Sequence, residues 1–216
     1  MRNVSKFIIF FFILIYFSSC QTQYIPVFPN TPLFNNKNEG QIEWNISGNG
    51  FHGKLAYSPL KHLGLQVNGQ LYDYISQKPN SFHAYIEPVI GIYHEYSIFV
   101  MELYAGYGFG KTDFNSTLNP NDHTFTKYNN MFVQYNLGYK TKKLNIYALS
   151  VKLCDLNYSG IKYNTLETSL IISPKIYDCL YLTSYLNYTK PIGINKNEIG
   201  LSFINIGIGL KYYIGQ

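Results

Sequence analysis

This chain is short of charge, of tryptophan, of cysteine and of long hydrophobic runs. Asp, Glu, Lys and Arg make up 13% of its 216 residues, about half the share of an ordinary soluble domain. The formal charge of +5 comes from 17 basic and 12 acidic residues scattered along the chain. No basic run of the kind that tracks a phosphate backbone is present, which argues against a nucleic-acid partner. The three cysteines, Cys20, Cys154 and Cys179, form no CxxC or Cys/His spacing, so no metal ligand set and no cofactor are expected. The one uninterrupted apolar run, Phe7 to Phe17, falls short of the roughly 20 residues that cross a bilayer as a helix. Tyrosine is plentiful instead, with 22 residues against a single tryptophan, and there are 17 glycines. Aromatics and glycine with few charges suit a β-protein that meets a solvent other than water on one side.

The N-terminus has the layout of a secretory leader. Arg2 and Lys6 precede the apolar run, and Phe17-Ser18-Ser19-Cys20 closes it with small residues before a cysteine. That end resembles a bacterial lipobox. The resemblance implies a signal peptide over 1–19 and a lipid on Cys20. Residues 1–19 hold two of the basic residues and no acidic one, so the remainder carries a formal +3. Residues 20–39 are rich in Pro, Asn and Thr, without a sustained period, and read as a lipidated N-terminus and extended linker. A second reading tucks Thr31-Pro32-Leu33-Phe34 into the following domain as a plug.

From Gly40 to the end, apolar and polar residues alternate. Ile204, Ile206, Ile208, Leu210 and Tyr212 fall on one face, and Asn205, Gly207, Gly209, Lys211 and Tyr213 on the other. A period of two means a strand with two unlike faces. Ten such segments span roughly 40–48, 51–58, 62–75, 82–94, 98–112, 129–140, 143–157, 161–173, 177–190 and 199–214. No helical period interrupts them. A sandwich would share one apolar core between two sheets, whereas here the polar face repeats Tyr, Asn, Gln, Gly and charges of both signs. The pattern predicts residues 40–216 as one all-β domain, a closed antiparallel transmembrane barrel with an apolar outside and a polar inside. Eight strands are the alternative, if the first hairpin lies outside the wall.

Connections alternate in length. Ser58–Lys61, Glu95–Ser97, Thr141–Lys142 and Ser173–Ile176 are short, while the other set includes the polar loop 113–128. Short turns are expected at the periplasmic end and long loops outside, with both barrel ends and the linker periplasmic. Asn49-Gly50 favours a tight hairpin. A turn centred there sets Trp44 opposite Leu55 and Ile42 opposite Tyr57. The two remaining cysteines then lie on non-adjacent strands at different heights, too far apart for the roughly 7 Å that a disulfide spans.

On these residues the chain resembles the small outer-membrane β-barrels of Gram-negative bacteria, in a lipid-anchored form. Tyr24-Ile25-Pro26 and Asn30-Thr31-Pro32-Leu33 are similar to the linker of that group. Such barrels usually end on an aromatic residue, whereas this chain continues past Tyr212-Tyr213 to Ile214-Gly215-Gln216. The resemblance implies location in the cell outer membrane more than it implies an activity.

The inward parity collects Glu43, Lys54, Glu87, Glu102, Lys140, Lys152, Glu167 and Lys211. A lysine on the lipid face would cost about 2–4 kcal/mol at mid-bilayer, whereas in the lumen the two signs can pair. A turn at Ser159-Gly160 sets Lys152 opposite Glu167, and Glu43 and Lys211 meet where the barrel closes. Gly106, Gly108 and Gly110 share the inward face of one strand, with space that Tyr181 and Tyr185 would fill. Tyr85, Tyr93 and Tyr104 point inward as well. Tyr57, Tyr96, Tyr139, Tyr188 and Tyr212 suit interfacial girdles. The histidines, His52, His62, His83, His94 and His123, reproduce no hydrolase spacing, so no catalytic residue is expected. The expected function is that of a structural or accessory envelope barrel with a filled lumen. Its partners would be membrane lipid and an envelope protein. A narrow passive channel and surface binding through loop 113–128 are the alternatives. Oligomeric state stays open.

Overall fold

A computed structural model describes residues 26–48, 50–73, 82–115, 123–141, 145–158, 160–192 and 204–215. The strands are β1 (Gly40–Ser47), β2 (Gly50–Leu60), β3 (Leu63–Asp73), β4 (Phe82–Tyr96), β5 (Phe99–Asn115), β6 (His123–Lys140), β7 (Ile146–Tyr158), β8 (Ile161–Ser173), β9 (Lys175–Tyr177), β10 (Leu180–Ile192) and β11 (Ile204–Ile214). Each wall strand pairs antiparallel with the next, β8 pairing directly with β10 past the short β9. β10–β11 and β11–β1 pairing completes the ring. β9 is a three-residue ribbon in the turn before β10, so the wall has ten strands, and the eight-strand alternative is excluded.

Period-two sequence drives the closure. In β7 the burial string alternates at every residue, with Ser150, Lys152 and Cys154 inside and Leu149 and Leu153 outside. Outward apolar residues stay exposed to the surroundings, as in Trp44 at 51% and Ile46 at 65%. A closed ring leaves no unpaired edge, which is the condition for a sheet to sit in lipid. Among the described residues no helix is long and apolar enough to cross a membrane.

Two local expectations change. The β1–β2 register pairs Ser47 with Gly50, Trp44 with Gly53 and Ile42 with Leu55. The turn therefore centres on 48–49, one position earlier than the Asn49-Gly50 reading, and partners move by two residues. An even shift keeps every side chain on its face, so the face assignment survives a wrong register. The expected loop 113–128 is mostly strand: β5 runs on to Asn115 and β6 begins at His123. Cys154 and Cys179 are both free thiols.

The larger change concerns the linker. Residues 26–35 lie inside the barrel, and Val27, Phe28, Asn30, Thr31, Leu33 and Phe34 are fully buried or within 1% of it. Of the two sequence readings, the plug describes these residues. Val27 packs with Tyr85, Tyr128, Leu156 and Tyr158, near the long-loop end. Phe34 packs with Ala56 and Tyr93, near the short-turn end. Asn38 then bonds the Ser58 carbonyl, and the chain turns into β1. The segment thus descends the lumen from the long-loop end to the short-turn end before the wall begins. Residues 1–25, including the expected leader and Cys20, lie outside the described residues.

Candidate functional site

The lumen is built by inward positions of all ten wall strands and filled along its axis by residues 27–35. Four glutamates and four lysines of the wall face it. Glu43, Lys54, Glu87, Glu102, Lys152, Glu167 and Lys211 are at most 2% exposed, and Lys140 is half-buried.

Charges gather at three levels. Nearest the closing seam, Glu43 pairs with Lys54 at 3.0 Å and with Lys211 at 3.3 Å. The register sets Glu43 across from both lysines, on β2 and on β11. Tyr185 donates its hydroxyl to the same carboxylate, as do the Asn45 and Gln41 amides. The Lys54 ammonium also stands 4.0 Å from the centre of the Tyr185 ring. Deeper toward β4, Lys152 pairs with Glu87 at 2.8 Å and lies over the Phe132 ring at 3.8 Å. Lys152 does sit opposite Glu167 in the register, but the ammonium crosses the lumen to Glu87, which Asn68 and Tyr85 also hydrogen-bond. At the third level Glu102 accepts from Asn136 at 2.8 Å and from Tyr104 at 3.3 Å.

These same groups grip the plug. Glu102 accepts the Leu33 amide at 2.7 Å, and Lys140 donates to the Leu33 carbonyl at 2.7 Å. Leu33 holds a left-handed φ of 53°, a conformation that costs a non-glycine residue about 1–3 kcal/mol. Two charge-assisted hydrogen bonds on its own peptide groups, each contributing about 1.5–3 kcal/mol, offset that cost. Lys54 donates to the Pro29 carbonyl, Lys211 to the Thr31 carbonyl, and Tyr213 to the Pro32 carbonyl. Asn30 is the hub. Its amide donates to Asn68, its side-chain oxygen accepts from Gln41, and its carbonyl accepts from Gln134 and Asn136. A buried chain without secondary structure needs its polar groups satisfied by side chains, and this wall supplies partners to peptide groups of Pro29, Asn30, Thr31, Pro32 and Leu33.

Inward glycines make room for bulky groups. A Cβ at Gly138 would stand 2.4 Å from Leu33, and one at Gly207 2.4 Å from Phe28. Both are seats for plug residues, which the sequence reading missed. The signal was present: inward glycines on β6 and β11 at the level of an apolar segment with no other place to bury. Gly106, Gly108 and Gly110 face Phe132, Tyr85 and Tyr128 respectively, not Tyr181 and Tyr185 as expected. Aromatics on the strands flanking β5 reach across it, whereas Tyr185 is committed to Glu43, Lys54 and a stacked contact with Phe28.

Among the described residues the histidines do not assemble a hydrolytic site. Ser47 Oγ lies 3.2 Å from His52 Nε2, but His52 Nδ1 has no hydrogen-bond partner, so the orienting carboxylate of a Ser-His-acid set is missing. His83 contacts Thr112 and Tyr128. His62 contacts the Tyr93 carbonyl and stacks on His94. The side chain of His123 lies outside the described residues. No group of His, Cys, Asp and Glu among the described residues is arranged to hold a metal.

No protein-family model and no curated protein sequence matches the chain. Solved structures do match in shape. The β domain of the Bordetella autotransporter BrkA superposes with a TM-score of 0.53 at 10% identity, covering 82% of this chain and 99% of that one. The translocator domain of the Neisseria meningitidis autotransporter NalP (0.41, 10% identity, 81% and 86% covered) and the KdgM porin (0.38, 10% identity, 81% and 98% covered) are more distant. The chain is a closed antiparallel ten-strand barrel, all-β among its described residues, with the fold of an outer-membrane barrel.

Proposed function

We propose that this chain is an outer-membrane barrel stoppered by its own N-terminal segment, acting as a structural or accessory envelope protein rather than as an enzyme or an open channel. The observation that carries this reading is the lumen itself. Residues 27–35 fill it, and wall side chains from β1, β2, β3, β5, β6 and β11 hydrogen-bond their peptide groups or the Asn30 amide. Val27, Phe28, Leu33 and Phe34 are buried apolar side chains, each worth about 1.5–3 kcal/mol of burial. A loosely held gate would not combine that burial with charge-assisted bonds at three levels.

The long loops face outward and both ends of the wall face the periplasm, the usual disposition of such barrels. A lipid on Cys20 is part of the proposal. Its side of the membrane follows from the plug's direction. Val27 sits at the long-loop end, and seven residues reach at most about 25 Å. On this proposal, a lipid seven residues ahead of Val27 would anchor in the outer leaflet. The proposal differs in this from the periplasmic N-terminus expected from the sequence.

Planar-bilayer recording of the refolded chain tests the stopper. The intact protein should give no steady openings, while deletion of residues 26–36 should give ion-conducting steps, with heat-dependent gel mobility showing that both forms are folded. Steady conduction by the intact chain would replace this reading with the channel alternative.

A further inference from the structure

The outer wall carries a feature that lumen packing does not account for. A furrow of about 910 Å³ runs across β2 to β6 toward the long-loop end, and its lining includes Phe51, Gly53, Gly69, Ala84 and Phe109. Inward glycines such as Gly106 and Gly108 are required, because a Cβ there would strike an aromatic ring. Gly53 and Gly69 differ. A Cβ at Gly53 meets nothing within 4 Å, and one at Gly69 meets two backbone carbonyls at ordinary contact distance. They face each other across the β2–β3 pair. Glycine weakens a strand and often marks the close approach of another molecule. Here two face each other on the outward side with open space above them.

The furrow rises past Ala84 to a pair of lysines. Ala84 is opposite Lys111, and Lys111 is opposite Lys127. Both lysines are exposed on the outward face. Like charges directly opposite on a sheet destabilise it. Among the described residues neither lysine makes an ion pair, although Asp113 is the next outward residue on β5. Lys111 Nζ lies 5.6 Å from the centre of the Phe82 ring and Lys127 Nζ 5.8 Å from that of Phe125. Each ammonium is thus beside an outward aromatic.

Height identifies the neighbour. Phe99 and Tyr139 pair at the short-turn end and belong to the aromatic belt there. From Phe99 to Lys111 the outward residues are Met101, Leu103, Ala105, Tyr107 and Phe109, all uncharged. Twelve residues span about 40 Å along a strand. At the usual tilt that is about 30 Å of depth, just beyond the apolar band of about 25 Å. The lysine pair therefore stands at the level of lipid headgroups, with the furrow descending from it into the hydrocarbon.

We propose that this surface is a site for one anionic membrane lipid, its headgroup phosphate between Lys111 and Lys127 and an acyl chain lying over Ala84, Gly69 and Gly53. The phosphate relieves the like-charge contact. The chain fills the space that the two glycines leave. The occupant is a lipid and not free phosphate, because the groove is apolar for most of its length and open to the bilayer.

Native mass spectrometry of the full chain in detergent, titrated with phosphatidylglycerol or with phosphatidylcholine of the same acyl chains, tests this. One phosphatidylglycerol should be retained at least ten-fold more tightly. The K111Q/K127Q pair should reduce its retention to the phosphatidylcholine level, and Gly69→Leu should weaken it by about ten-fold. The K162Q/K190Q pair removes two other outward lysines of the long-loop end and should leave it unchanged. Gel mobility checks that each variant is folded. The proposal is overturned by equal retention of the two lipids, by a loss as large in K162Q/K190Q, by no effect of Gly69→Leu, or by inorganic phosphate displacing the lipid at millimolar concentration, which would mean a simple anion site.

Discussion

Glu43 concentrates more interactions than any other wall residue described. It takes two ammonium partners, a tyrosine hydroxyl and two amides, all in a lumen closed to solvent. Removing one partner of a buried ion pair leaves an uncompensated charge, at a cost of about 3–5 kcal/mol. Glu43→Gln strands both Lys54 and Lys211, so its unfolding free energy in urea, followed by loss of the heat-sensitive gel band, should fall by an amount in that range. A change under 1 kcal/mol would mean that the lysines are held by the plug carbonyls alone. Alternation along the strands located these charged groups on one parity. It did not locate their partners, because an ammonium on a long stem chooses among acceptors across the lumen, as Lys152 does in reaching Glu87 past its cross-strand neighbour Glu167. Parity is a property of one strand, while pairing is a property of the enclosed volume.

At the scale of elements, the plug depends on seats prepared for it in the wall. Gly138 and Gly207 leave the space that Leu33 and Phe28 occupy. Gly138→Val should displace Leu33 from its contacts with Glu102 and Lys140 while keeping β6 paired, since valine suits a strand. The expected result is a folded barrel that conducts intermittently in a planar bilayer. A silent variant with unchanged stability would show that the seat is dispensable. Strand limits were less legible than strand faces. The stretch 123–128 alternates, with Phe125 and Lys127 outward and Thr126 and Tyr128 inward, yet it reads as loop because its outward positions stand beyond the apolar band. Lipid enforces hydrophobicity only over its own thickness, so strand ends that rise above it lose the signature by which strands are found. The plug escaped a firm reading for a related reason: it has no repeating period, and its conformation is set by side chains from distant parts of the chain.

For the whole molecule, the proposed disposition in the membrane can be tested from the plug's direction. With Val27 at the long-loop end and Gly40 and Ile214 paired at the other, that proposal expects the segment before Val27 and the C-terminal strand end on opposite faces. Gln23→Cys should react with a membrane-impermeant maleimide on intact cells, whereas native Cys179, half-exposed in the turn before β10, should react only after lysis. The reverse pattern would place the long loops inside. Strand count and closure were legible because each hairpin repeats the same constraint. The path of residues 26–35 was not, because Pro, Asn and Thr suit an exposed tether as well as a polar channel.

The seam between β1 and β11 and the stopper share their fastenings. Lys211 pairs with Glu43 across the seam and bonds the Thr31 carbonyl, while Gln41 and Lys54 tie the same carboxylate to Asn30 and Pro29. The first and last strands match their charges within the wall, through Glu43, Lys54 and Lys211, and the two lysines give further N–H bonds to the thread. One carboxylate thus clasps wall and lining together, so strain at the seam is shared by the thread it encloses.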